Sequence, residues 1–159
     1  MLDTTIKALE AITKTALKID GWDEIPMLLV VCASGKQTLA TLDGDLFEML
    51  ATVGPKLREG VGDDITGLVL TNEGWGLSTD AVGGTEADLR AVQAELLLTG
   101  RRFADHPAAV EIKLFTAIDR EGITAREIKR GDPEVKEPDG QAGGRLIDHL
   151  KALFEEVTR

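Results

Sequence analysis

Apolar residues recur with helical spacing at Ile6, Leu9, Ile12, Ala16 and Leu17, which predicts a helix over 3–19 with one side turned inward. Asp3 is placed to cap its start and Gly21 to end it, because glycine enters the left-handed conformation at little cost. The pattern then changes. Pro26 precedes Met27-Leu28-Leu29-Val30-Val31-Cys32, apolar at every position, as expected of a strand covered on both faces. Ser34-Gly35-Lys36 predicts a turn, and 37–42 a short returning strand. Asp45, with Glu48 three residues on, has capping-box spacing, and Leu46, Phe47, Leu50 and Val53 give the helix behind it a buried side. Gly54-Pro55 ends or kinks that helix, since the residue before proline is pushed away from helical angles.

Ile65–Thr71 predicts the next strand, which runs into Glu73-Gly74-Trp75-Gly76-Leu77. After the flexible joint Gly83-Gly84, Thr85-Glu86-Ala87-Asp88 resembles a helix start, and Leu89, Val92 and Leu96 keep helical spacing to about Leu98 before Gly100. A long mobile loop over 78–105 is the alternative. Residues 109–119 and 123–130 predict a hairpin, with Val110, Ile112, Leu114 and Ile118 on its apolar face and Glu111, Lys113, Phe115 and Ala117 on the other. Asp119-Arg120-Glu121-Gly122 supplies its turn. Residues 132–143, rich in Gly, Pro and charge, predict a flexible linker before a final helix carrying Leu146, Ile147, Leu150, Leu153 and Phe154. Helices do not strictly alternate with single strands. The expected fold is therefore α+β: one domain over 1–159, with a mixed, mostly antiparallel sheet of about five strands and helices packed chiefly on one face.

Composition narrows the function classes. The 159 residues are 43% hydrophobic, enough for a core, but contain no Tyr, so aliphatic side chains must build it. The net charge of −10 disfavours nucleic acid or an anionic membrane as partner. No apolar run reaches the roughly 18 residues needed to span a bilayer. The N-terminal segment lacks the apolar core of a signal peptide, and one cysteine, Cys32, excludes an internal disulfide framework; a cytoplasmic location is expected.

Motifs of known chemistry fail on spacing. Around Gly35-Lys36, a phosphate loop needs glycine where Val30 stands and Ser or Thr where Gln37 stands. Ser34 and Ser78 lack the Gly-x-Ser-x-Gly setting, and Cys32 lies mid-strand, where burial disfavours the thiolate. His106 and His149 have no ligand spacing, and Asp43-Gly44-Asp45 is too short for a calcium loop. No catalytic residue, cofactor or metal is assigned. His106, before Pro107, is expected to be held extended in a structural role, and His149 to be a surface or packing residue.

Charge distribution is more informative. Between Arg58 and Arg90 there is no Lys or Arg but seven acids: Glu59, Asp63, Asp64, Glu73, Asp80, Glu86 and Asp88. Such a segment either recruits a basic partner, imitates nucleic acid, or simply aids solubility. The later basic residues Arg101, Arg102, Lys113, Arg120, Arg126, Lys129 and Arg130 are mixed with acids and lack an aromatic stacking run, which disfavours nucleic-acid binding. Of the two tryptophans, Trp22 is expected to plug the core, whereas Trp75, flanked by glycines, suits either a plug or a recognition anchor.

Gly74-Trp75, Phe103-Ala104-Asp105-His106-Pro107, Val110-Glu111-Ile112-Lys113 and Ala117-Ile118-Asp119-Arg120-Glu121-Gly122 together resemble a loose group of uncharacterised proteins from actinobacteria and their phages, over about 65–131. The resemblance implies an accessory protein and no catalytic residues. The expected function is a small acidic accessory protein that binds another protein, with Glu73, Trp75, Asp63, Asp64, Asp80, Asp88 and His106 as candidate binding residues. Two alternatives stay open: an enzyme or ligand-binding domain with a pocket near Glu73, Trp75 and His106, and an acidic nucleic-acid mimic.

Overall fold

The apolar run Met27–Cys32 forms strand β1, flanked by β2 (Gln37–Thr41) and β3 (Ile65–Gly76). Strands β4 (Val110–Asp119), β5 (Gly122–Lys129) and β6 (Val135–Lys136) complete a sheet of order β2-β1-β3-β4-β5-β6, in which every neighbouring pair is antiparallel. The structure is a computed structural model and describes residues 1–19, 21–61, 64–132, 134–138 and 144–159. Helices α2 (Leu46–Thr52), α3 (Gly54–Val61) and α6 (Arg145–Val157) pack on one face of the sheet, and α1 (Asp3–Ile19) on the other. Short α4 (Thr79–Val82) and α5 (Glu86–Leu98) lie in the long connection from β3 to β4. The fold is α+β as expected, with six strands among the described residues against about five.

Two cores explain the hydrophobic pattern. Leu28, Val30, Leu68, Leu70 and Ile118 face Leu50, Leu57, Val61, Leu150, Leu153 and Val157. Leu29, Val31, Val69, Phe115, Ala117 and Ile128 face Ala8 and Leu9. A strand between two such layers must be apolar at both parities, which is what β1 shows.

The helix α1 falls where its spacing predicts, but its contact line runs through Thr5, Ala8, Leu9 and Thr13, while Ile6 and Leu17 sit at its flanks, both 37% exposed. Small residues on the contact line let the helix approach the sheet closely. At Gly67 on β3, a Cβ would lie 2.6 Å from Thr5 Oγ1. Asp45 caps α2 by accepting the Glu48 N–H at 2.9 Å, and α3 follows as a separate helix after Val53.

Two expectations are corrected. The apolar face of the hairpin is not confined to Val110, Ile112, Leu114 and Ile118: Val110 is 38% exposed and Ile112 half-buried, whereas Phe115, Ala117 and Lys113 on the other parity are buried. The reason is that α1 covers that second face. The expected 132–143 linker contains β6, whose Val135 pairs with Ile128; residues 133 and 139–143 of that segment lie outside the described residues. The strand expected over Ile65–Thr71 extends to Gly76, so Glu73 and Trp75 are strand residues rather than loop residues. Over 78–105, helices form, with Thr85 accepting the Asp88 N–H as N-cap of α5.

Candidate functional site

At the far end of the sheet, beyond the last turn of α1, β3 and β4 continue as a pair, with Glu73 opposite Lys113 and Trp75 opposite Glu111. Strand alternation puts these four side chains on the α1 face, in line with Thr71 and Phe115. The segment after α1 folds over them. Asp23 adopts a left-handed φ of 63°, a conformation aspartate tolerates better than most residues. This lets the consecutive N–H groups of Asp23 and Glu24 both donate to the Glu73 carboxylate, at 3.1 and 3.0 Å.

Lys113 is the centre of the cluster. Its side chain is 5% exposed. Its ammonium donates to the Gly21 carbonyl, pairs with Glu24 at 3.3 Å and Glu73 at 3.7 Å, and lies 5.4 Å from the centre of the Trp22 ring. The Arg130 guanidinium sits 5.7 Å from the same ring and pairs with Glu111. A buried ammonium needs such company, because desolvation alone costs several kcal/mol.

Asp23, Glu73 and Glu111 offer carboxylate oxygens within 4.8 Å of one another, the donor type that a hard divalent cation prefers. Glu73 is already engaged by two backbone N–H groups and Lys113, and Glu111 by Arg130. Two cations, Lys113 and Arg130, thus stand among four acids, Asp23, Glu24, Glu73 and Glu111, and pair with the last three.

The candidates from the sequence are distributed as follows. Glu73 is largely buried and occupied internally. Trp75, two residues on, is 47% exposed. Asp80 is exposed in the first turn of α4, and Asp88 is half-buried at the start of α5, accepting a hydrogen bond from Thr85 at 2.8 Å. His106 follows the short 3-10 helix Phe103–Asp105, extended as expected before Pro107, and its Nδ1 accepts the Ala108 N–H at 3.0 Å. These residues belong to the end of the sheet where the β3–β4 connection sits. Asp64 is exposed before the start of β3, about 36 Å from Trp75 at the rise of an extended strand. Asp63 lies outside the described residues. Glu73 and His106 share no hydrogen bond or ion pair among the described residues.

Other expectations find their places. Trp22 packs against the α1-side core. Cys32 is fully buried. His149 lies tilted against Phe47, with ring centres 5.1 Å apart. A groove of about 700 Å³ between α1 and β5 is lined by Ile6, Leu9, Thr13, Leu17, Thr124 and Arg126, and includes none of the candidates. No helix of the described residues is long and apolar enough to cross a membrane.

Lys113 and its partners escape a reading by residue type, which groups Lys113 with the surface bases. The available signal was parity: Lys113 alternates in step with Phe115 and Ala117. No family model, curated protein or solved structure matches the chain.

Proposed function

We propose that the chain is a small acidic accessory protein that acts by binding another protein, through the end of the sheet from which Trp75 emerges. The observation that carries the reading is the contrast between the two tryptophans. Trp22 is partly buried against the α1-side core, beside Lys113 and Arg130, whereas Trp75 stands 47% exposed on the strand that carries Glu73, which is paired with Lys113. An exposed indole on a fixed strand is a preorganised apolar anchor. Phe103, in the connection between β3 and β4, and Val110, the first residue of β4, are each more than one-third exposed.

The local charge favours a basic partner. Arg90 is paired with Glu86 and Arg102 with Asp105, while Asp80 and Glu95 are exposed without an ion-pair partner among the described residues. Such rim acids speed association and make it salt-sensitive. Asp64, at the opposite end of β3, is outside this surface.

The test is capture from native lysate beside thermal melts, for the wild type, Trp75→Ala and Asp64→Asn. A protein held by the wild type and Asp64→Asn, and lost by Trp75→Ala at unchanged melting temperature, supports the reading. Equal capture by all three, or a large melting loss in Trp75→Ala, overturns it.

A further inference from the structure

We propose that the β2 edge of the sheet pairs with β2 of a second copy of this chain, antiparallel about a two-fold axis at Leu39, so that one sheet runs through both subunits. Backbone directions come first. The Cys32 N–H donates to the Lys36 carbonyl at 2.9 Å, and the Leu42 N–H to the Pro26 carbonyl at 2.8 Å. In an antiparallel ladder this parity turns Thr38 and Ala40 toward β1, and the N–H and C=O groups of Gln37, Leu39 and Thr41 outward. Among the described residues no strand pairs with that outer side.

The two edges of the sheet are unlike. Strand β6 is two residues long, contains Lys136 and is preceded by Asp132 and Glu134, charges of the kind that guard an edge. Strand β2 reads Gln-Thr-Leu-Ala-Thr: no charge, no proline and no register shift against β1. Leu39, at its centre, is 54% exposed. It therefore has none of the usual protections against strand addition.

The occupant is set by self-complementarity, which a two-fold contact requires. With Leu39 opposite its own counterpart, Gln37 faces Thr41 twice, and each facing pair exchanges two backbone hydrogen bonds. The leucines meet on the α1 face. Lys36 precedes the strand and Asp43 and Asp45 follow it, all exposed. Antiparallel pairing brings Lys36 of each subunit to the Asp43–Asp45 turn of the other, so opposite charges meet at both ends. Parallel pairing would set like against like.

A five-residue strand buries less than the roughly 1,000 Å² of a stable interface, so the dimer is weak and depends on concentration. Sedimentation of the full chain from about 10 µM to about 1 mM covers the range of such an affinity. The expected result is an average mass rising from 17.1 kDa toward twice that value. Leu39→Lys sets two like charges face to face at an exposed position; it should abolish the rise while leaving the melting temperature unchanged. Lys36→Glu should weaken association roughly tenfold, and Lys36→Glu with Asp43→Lys should restore it. A monomer at every concentration overturns the proposal. So does a dimer indifferent to Leu39→Lys and to the charge swap.

Discussion

Lys113 lies with its ammonium 5.4 Å from the centre of the Trp22 ring, so a lysine of strand β4 and a tryptophan from the segment after α1 meet at the end of the α1-side core. The tryptophan covers the charge, and the charge in turn holds Gly21, Glu24 and Glu73. Through Glu73 this contact reaches the strand that presents Trp75.

Lys113→Met should therefore be costly although methionine fits the space. It leaves Glu73 with two backbone donors but no cation, and the expected loss is about 2–4 kcal/mol. Urea unfolding followed by tryptophan fluorescence measures it. A loss under about 0.5 kcal/mol would make the pairing one of an exposed surface bridge.

Core position and pattern position separate in β4. Phe115 is fully buried between α1 and the sheet, whereas Ile112 lies opposite Gly74 and against Gly76, which have no side chains to cover it. Phe115→Ala should cost roughly 3–5 kcal/mol, and Ile112→Val about 1 kcal/mol or less. The reverse order in thermal melts would contradict the placement of α1.

The approach of α1 to β3 rests on one missing side chain. Gly67→Ala places a Cβ 2.6 Å from Thr5 Oγ1, so the Thr5 side chain must turn or the helix must shift, at an expected cost of about 1–3 kcal/mol. Thr5→Ala removes the obstructing atoms, and the double variant should recover most of the Gly67→Ala loss. Strict additivity of the two changes in a double-mutant cycle would show that the residues do not touch.

Asp132 gives the pH dependence a definite sign. The Glu134 N–H, then Lys136, hold its carboxyl below the ordinary value of 3.8. A lowered folded value contributes stability above 3.8, and that stability is lost as pH falls through the folded value. Carboxyl titration by NMR should place Asp132 below 3.8, and Lys136→Met should move it back upward. An unchanged titration in Lys136→Met would remove the lysine as a cause.

The sequence by itself determined the elements whose signal is local. Helix α1, strand β1, the Asp45 cap, the start of α5 at Thr85, the β4–β5 hairpin and α6 all follow from spacing, capping chemistry and turn residues within a few positions of one another. The tertiary structure decided what depends on partners far along the chain. Whether Lys113 is a surface base or a buried one is set by Gly21, Glu24 and Glu73. Whether Ile6 or Thr5 faces the sheet is set by the space above Gly67. Asp64 and Trp75 belong to one acidic run in sequence but stand at opposite ends of β3, because an extended strand carries its ends apart while a composition count keeps them together. Spacing within an element is a property of the backbone and can be read in one dimension; burial and charge pairing are properties of contacts, which exist only once the chain has returned on itself.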